Sequence, residues 1–172
     1  MVLGSSAVTA VQEKRRASAN VMIGTRESNE LSAPSTEGIV NVLHGPWHAC
    51  LDQNGRPLRG IYGVEGANAT LESGLDLGID RIDIAPGSGF EPHTHEGAHI
   101  LFGLSGSGEL FFAGQTFVVQ PGDTVYVPAN LPHAVRSSKT SRGEFSFLAI
   151  GYPHKRVHSR DRMQVVHGGF PV

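Results

Sequence analysis

Residues 87–106 read GSGFEPHTHEGAHILFGLSG, and residues 122–137 read GDTVYVPANLPHAVRS. Both stretches are short apolar runs bounded by glycine and proline, a pattern typical of short β-strands joined by tight turns. The same pattern extends over residues 79–150 and predicts an all-β fold, because the strands are spaced as in a sandwich or barrel. The predicted strands are 79–84, 99–104, 109–112, 116–119, 124–127, 133–137 and 145–150.

The first stretch carries three histidines at a spacing that suits a metal site. If residues 92–99 are extended, the side chains of His93, His95 and His99 project to one face, because strand residues alternate with period 2. Gly97 would leave room between the rings on that face. Glu96 would point away from them, which makes it a poor candidate for a ligand.

His133 could supply a fourth imidazole. It follows a turn at Pro128–Pro132, at the head of a strand that can pair back into the same barrel. A His-x-His pair on a strand can also be a plain surface feature, and a single core histidine is often only hydrogen-bonded. The spacing of histidines alone therefore leaves both interpretations open.

Glycines and prolines stand at fixed offsets around these histidines. Gly87 is followed after five residues by His93-x-His95, after three more by His99 and after six more by Gly106, which resembles the first motif of the cupin superfamily. A second run resembles the second cupin motif. In it, Gly122 is followed after five residues by Pro128-x-Asn130, after two more by His133 and after three more by Ser137. Fifteen residues, 107–121, separate the motifs, which is enough for one hairpin.

The chain departs from the cupin pattern at three positions. The family usually has glutamate where His99 stands, so this chain would be an all-histidine variant. Asn130 replaces a glycine, and asparagine tolerates the left-handed backbone better than most residues do. Ser137 replaces the usual asparagine at a position that we interpret as structural.

The resemblance covers residues 79–152 and implies a small antiparallel jelly-roll barrel with a metal inside. We expect residues 1–36, rich in Ser, Thr, Ala and charge, to be a flexible N-terminal extension. The barrel domain is predicted over residues 37–155. We expect residues 156–172 to be a solvated C-terminal extension and not a second metal site, although His158 and His167 lie within it and His154 just before it.

His93, His95, His99 and His133 are thus the predicted ligands of one divalent transition metal. Neutral imidazole suits Fe, Cu, Ni, Zn and, less strongly, Mn, whereas Ca and Mg prefer oxygen. Four neutral ligands leave the charge of the site at +2, which favours an anionic guest. If only three histidines bind, His99 becomes a base or a hydrogen-bond donor beside the metal.

Similarity to cupins implies an enzyme, and many small cupins with such sites are dioxygenases acting on enolisable or phenolic substrates. We therefore expect an oxygenase-like enzyme that chelates a small oxygenated organic molecule. One alternative is a non-oxidative isomerase, lyase or cyclase, because a fold does not choose among reactions. The other is a cupin that binds a metal or a small ligand without catalysis.

Three residues outside the motifs are candidate substrate contacts. Arg81 could pair with a substrate carboxylate or form a surface salt bridge. Tyr126 is interpreted as core or as cavity wall. His48 could fold over the mouth of the barrel, or belong to an N-terminal strand that packs outside it or on a second subunit.

Composition excludes several other classes of function. Fourteen Lys and Arg against sixteen Asp and Glu give a net charge of −2, without the basic surface that a nucleic-acid binder needs. We also expect no membrane span and no export signal, hence a cytoplasmic protein. With Cys50 as the only cysteine, any metal must use nitrogen and oxygen ligands. A homodimer is expected from the cupin resemblance.

Overall fold

The structure is a computed structural model that describes residues 39–166, so the predicted extension over residues 1–36 lies outside the described residues. Eleven strands and one 3-10 helix, Arg160–Arg162, make up its regular structure. The strands are β1 (Trp47–Leu51), β2 (Pro57–Thr70), β3 (Asp76–Ile84), β4 (His93–Thr94), β5 (Ala98–Ser105), β6 (Gly108–Phe112), β7 (Gln115–Val119), β8 (Thr124–Val127), β9 (His133–Ser137), β10 (Phe145–Tyr152) and β11 (Gln164–Val165). The predicted all-β fold is confirmed.

The strands form two antiparallel sheets that enclose one core, as in a jelly roll. The six-stranded sheet has the order β1-β2-β3-β10-β5-β8, and the five-stranded sheet has the order β11-β4-β9-β6-β7. Side chains from both inner faces meet in a single apolar cluster, for example Ile82 and Phe147 from the first sheet with Leu110 and Val135 from the second. Each of the seven predicted strands corresponds to a strand of the structure.

Alternation along the strands sets which side chains enter the barrel. On β10, Phe145, Phe147 and Ala149 are buried in the core, as their shared parity predicts. On β3, Ile82 and Ile84 point inward. The intervening residues of β3 therefore lie on the outer face of the six-stranded sheet.

Two tight turns each contain one residue other than glycine with a positive φ. Ala113 and Gly114 join β6 to β7 with φ values of 51° and 72°, as a two-residue type I′ turn requires. Asn130 has φ of 58°, so asparagine adopts the left-handed conformation at the position where the motif that it resembles has glycine. This turn delivers His133 to the start of β9.

The described part of the C-terminal segment packs onto the barrel, and the expectation of a solvated extension is wrong for residues 156–166. Val157 and Met163 are buried, because the chain after β10 folds back across the barrel. β11 then pairs with β4, with Val165 opposite His93. The domain limits at 37 and 155 stay predictions.

The outer face of the six-stranded sheet exposes several large apolar side chains, among them Ile100, Phe102 and Tyr126. The homodimer stays a prediction, because only one chain is described. Between residues 39 and 166, no helix has the length and apolarity needed to cross a bilayer.

Candidate metal centre

Three buried histidines bring ring nitrogens to one place inside the barrel. His93 opens β4, and His133 opens β9 directly opposite it in the register. One nitrogen from each of His93, His95 and His133 lies within 4.8 Å of the others, and these three are the one such group of His, Cys, Asp and Glu among residues 39–166. His95 Nε2 is 3.1 Å from His133 Nε2.

Backbone carbonyls fix the tautomer of all three rings. His93 Nδ1 donates to Glu91 O and His133 Nδ1 donates to Leu131 O, each at 2.8 Å, and His95 Nδ1 donates to Gly97 O. A carbonyl oxygen can only accept, so Nδ1 carries the proton and Nε2 keeps its lone pair. Metal-ligating histidines are commonly held by such a bond from the second ring nitrogen.

The short contact between His95 Nε2 and His133 Nε2 therefore joins two acceptors with no proton between them. Two lone pairs that face each other at 3.1 Å repel, unless a cation lies between or beside them. Neutral nitrogen donors in this number suit a divalent transition metal and do not suit calcium or magnesium. The three residues thus fit a metal ion by their chemistry as well as by their proximity.

Burial keeps these rings neutral at neutral pH. Desolvation lowers the pKa of His95, and it lowers the pKa of His133 to about 4. The pKa of His93 lies well below its usual range, because of burial first and the neighbouring His133 second. A neutral imidazole is the form that binds a metal.

His99 stands beside the three histidines rather than among them. It lies on β5, and its Nδ1 is 3.0 Å from His95 Nε2. Burial, followed by the charge of His95, lowers the pKa of His99 to about 2. The structure brings all four predicted histidines to one cavity, and it groups three of them more tightly than the fourth.

Comparison with known protein families identifies the architecture. The cupin domain family matches residues 80–151, a range that contains both histidine motifs. Residues 80–151 are a cupin domain. No curated protein matches the sequence.

Solved structures share the cupin fold with this chain at low sequence identity. The polyketide cyclase RemF from Streptomyces resistomycificus aligns with a TM-score of 0.57 and 18% identity, over 76% of this chain and 85% of its own. KdgF from Halomonas sp. aligns with a TM-score of 0.54 and 19% identity, over 68% of this chain and 94% of its own. The cupin-2 domain protein Rru_A2000 from Rhodospirillum rubrum aligns with a TM-score of 0.51 and 21% identity, over 70% of this chain and 74% of its own. These similarities show the fold.

Gly97 has a different role in this cupin from the one expected. We predicted that it leaves room between imidazoles, but a Cβ at this position would collide with the carbonyl oxygen of Pro153. Glycine therefore allows the chain at residue 97 to approach the end of β10, and its own carbonyl orients His95. Gly151 makes room for the ring instead, because a Cβ there would be 2.7 Å from His99 Nε2.

The remaining walls of the cavity are almost wholly apolar. Besides the four histidines, its lining contains one charged side chain, Arg162, from a segment that was expected to be solvated. The lining is completed by Ile82, Phe90, Leu101, Val127, Val135, Phe147, Ala149 and Met163. The pairing of β11 with β4 brings Arg162 to this site, and a two-residue strand is too short to be predicted from its pattern.

Asp80 holds Arg162 in place. Arg162 Nη1 donates to Asp80 Oδ2 at 2.7 Å and to Lys155 O at 2.7 Å, and His154 Nε2 donates to the same carboxylate oxygen at 2.9 Å. Burial raises the pKa of Asp80, but the hydrogen bond from His154 and the charge of Arg162 outweigh it, so the pKa is lowered. Asp80 is therefore ionised at neutral pH and balances the guanidinium.

The three predicted substrate contacts lie away from the cavity, and we correct that prediction. Arg81 points outward from β3, where it forms an ion pair of 2.6 Å with Asp83. The side chain of Tyr126 is 61% exposed on the outer face of β8, because its neighbours on the strand point inward. His48 lies on β1, with its ring 5.2 Å from the ring of His158.

The low pKa values predict that the metal-free protein loses stability in mild acid. Unfolded histidine has a pKa near 6.5, and folded His133 one of about 4, so only the unfolded state binds the proton between these values. The free energy of unfolding should then fall by ~1.4 kcal/mol per pH unit for each such histidine below pH 6.5, and not change from this cause above it.

Thermal unfolding of EDTA-treated protein between pH 7.5 and pH 5 measures this effect. The exposed His44 serves as the control, because its replacement by alanine should leave the pH profile unchanged. A melting temperature that stays constant from pH 7.5 to pH 5 would show that the buried rings do not resist protonation.

Proposed function

We propose that this cupin is a metal-dependent enzyme that acts on a small oxygenated organic molecule. His93, His95 and His133 would hold one divalent ion of Fe, Cu, Ni, Mn or Zn, with His99 as the fourth ligand. One observation carries the proposal: three buried histidines bring one ring nitrogen each to within 4.8 Å of the others, and each ring is fixed by a hydrogen bond from Nδ1 to a carbonyl.

A divalent transition metal at such a site supplies Lewis acidity and, where it is redox-active, electrons for oxygen chemistry. The protein adds a dry surrounding without net charge, since the rings are neutral, Asp80 balances Arg162 and most of the lining is apolar. The cavity volume is about 40 Å³, which is room for about three waters. A small substrate, or the end of a larger one, suits this space.

The lining favours an oxygenase-like reaction. An isomerase, lyase or cyclase needs a side chain that takes up a proton, and the described residues of the lining include no carboxylate. If His99 is a ligand, no other base remains among these residues, and the substrate must be activated through the metal. Oxidative chemistry is then the simplest outcome.

The position of His99 also favours a second candidate, a non-oxidative metal-dependent enzyme. His99 stands outside the close group of three, and it presents Nδ1 rather than Nε2 to His95. A histidine that does not bind the metal could hold or move a proton on a substrate oxygen or carbon. The two candidates therefore differ in the role of one residue.

Elemental analysis combined with an oxygen electrode tests the proposal. We expect freshly purified protein to contain about one equivalent of a single transition metal. In a screen of diketones, catechols and hydroxy acids, oxygen uptake that matches loss of substrate would support the oxygenase, and turnover without uptake would support the second candidate. Protein that takes up no metal would overturn both.

A further inference from the structure

Arg162 is the one positively charged side chain in the described lining of the histidine cavity. It is contributed by the 3-10 helix near the C-terminus, and its side chain is only 9% exposed. Arg162 also borders a small pocket whose lining includes His95, His99, Glu96 and Lys155. The guanidinium is therefore within the buried site and close to two of the histidines.

The guanidinium is anchored by one nitrogen. Both of its hydrogen bonds to residues 39–166 start at Nη1 and end on Asp80 and on the carbonyl of Lys155. The edge formed by Nε and Nη2 makes no hydrogen bond to this part of the chain. Two parallel N–H donors in a fixed plane match the two oxygens of a carboxylate.

With a divalent ion bound, the site would carry a net positive charge that an anionic substrate would balance. Asp80 is ionised and neutralises Arg162, so this pair adds no net charge to the cavity. The histidines are neutral, and a divalent ion among them would keep its full charge of +2. A substrate that brings a carboxylate and a second oxygen would satisfy both the metal and the free edge of Arg162.

We propose that Arg162 selects the substrate, which is a small carboxylic acid that carries an oxygen on the carbon next to the carboxylate. The carboxylate binds the Nε and Nη2 edge of Arg162, and the second oxygen faces the nitrogens of the histidine group. The identity of the second contact rests on the proposed metal-dependent function. The first contact does not, since Arg162 is held by Asp80 and Lys155 without any metal.

Calorimetric titration with a matched pair of probes tests this inference. Lactate carries the proposed carboxylate and neighbouring oxygen, and 1,2-propanediol has the same carbon skeleton without charge. Each is titrated into zinc-loaded and into metal-free protein, so that no turnover is required. The variants are R162K, which keeps the charge beside Asp80 but loses the planar edge, R162Q, and the control R160Q on the exposed neighbour in the same helix.

We expect lactate to bind wild type and R160Q equally, and to bind R162K about tenfold and R162Q about a hundredfold more weakly. The weak binding of 1,2-propanediol should be the same in wild type and R162K, which separates recognition of charge from damage to the fold. The inference would be overturned if lactate bound R162K and R162Q as tightly as wild type. It would also be overturned if lactate bound neither the zinc-loaded nor the metal-free wild type.

Failure of the proposed function gives a different result. If wild type takes up no zinc but still binds lactate in an Arg162-dependent way, the role of Arg162 stands and the metal site does not. If zinc binds tightly and lactate binding does not depend on Arg162, the metal site stands and the inference is overturned.

Discussion

Replacing His133 with alanine is expected to abolish metal binding and leave the fold in place. The ring provides one of three converging Nε2 lone pairs, and His93 and His95 alone form an incomplete site. Loss of a residue that merely orients a ligand costs ~10–100-fold in metal affinity, so loss of a ligand should cost at least ~100-fold. The backbone of residue 133 keeps its pairing with β4 and β6, since that pairing does not involve the side chain.

Metal analysis after dialysis, together with thermal unfolding, measures this effect. A ligand present at 100 times its dissociation constant stabilises a protein by ~2.7 kcal/mol, so added zinc should raise the melting temperature of wild type. H133A should show no such rise and should retain no metal. The exposed His44 again provides the control, because H44A should behave as wild type. An H133A protein that keeps a full equivalent of metal would exclude His133 as a ligand.

Local pattern was sufficient to predict the strands, whereas the jelly-roll barrel and the place of the histidines inside it were predicted from the resemblance to the cupin motifs. Strands such as β8 and β9 were predicted from alternation between turn residues, and the structure gives Thr124–Val127 and His133–Ser137. The grouping of His93 with His95 follows from the two-residue period of an extended chain. These features depend on neighbours in sequence, and a single sequence shows them directly.

The face of β3 that enters the barrel could not be predicted in the same way. The sequence left open whether Arg81 contacts a substrate or forms a surface salt bridge, and the structure turns the other parity of β3, with Asp80 and Ile82, inward. A shift of one residue in register reverses every side chain of a strand. Alternation alone therefore predicts two faces without telling which of them is inside.

Arg162 and the full length of β2 were missed for a related reason. β2 is a strand of 14 residues, Pro57–Thr70, in which three glycines interrupt the apolar pattern that would mark it. Arg162 is brought to the cavity by contacts with Asp80, which is 82 residues away in the chain. The residues next to Arg162 in the sequence do not indicate such a distant partner.

Replacing Asp80 with alanine is expected to be among the most destabilising single changes in this cupin. Asp80 is fully buried, and its Oδ2 accepts hydrogen bonds from both Arg162 and His154, while Oδ1 has no partner among the described residues. Removing one partner of a buried ion pair leaves an uncompensated charge and costs ~3–5 kcal/mol. D80A should lose stability on this scale and should also release the segment that carries Arg162.

Chemical unfolding of D80A beside three further variants, D161A, R162L and the double variant D80A/R162L, separates the effect of the unpaired charge from the other effects of the substitution. Asp161 is an exposed aspartate next to Arg162, so D161A should stay within ~0.5 kcal/mol of wild type. The double variant D80A/R162L removes both charges, and it should recover part of the loss, because a buried pair replaced by apolar groups is often neutral. If the double variant is less stable than the sum of the two single changes predicts, the pair is not what makes Asp80 necessary. The unpaired charge of Arg162 accounts for the lost stability of D80A only if removing that charge restores part of the free energy of unfolding.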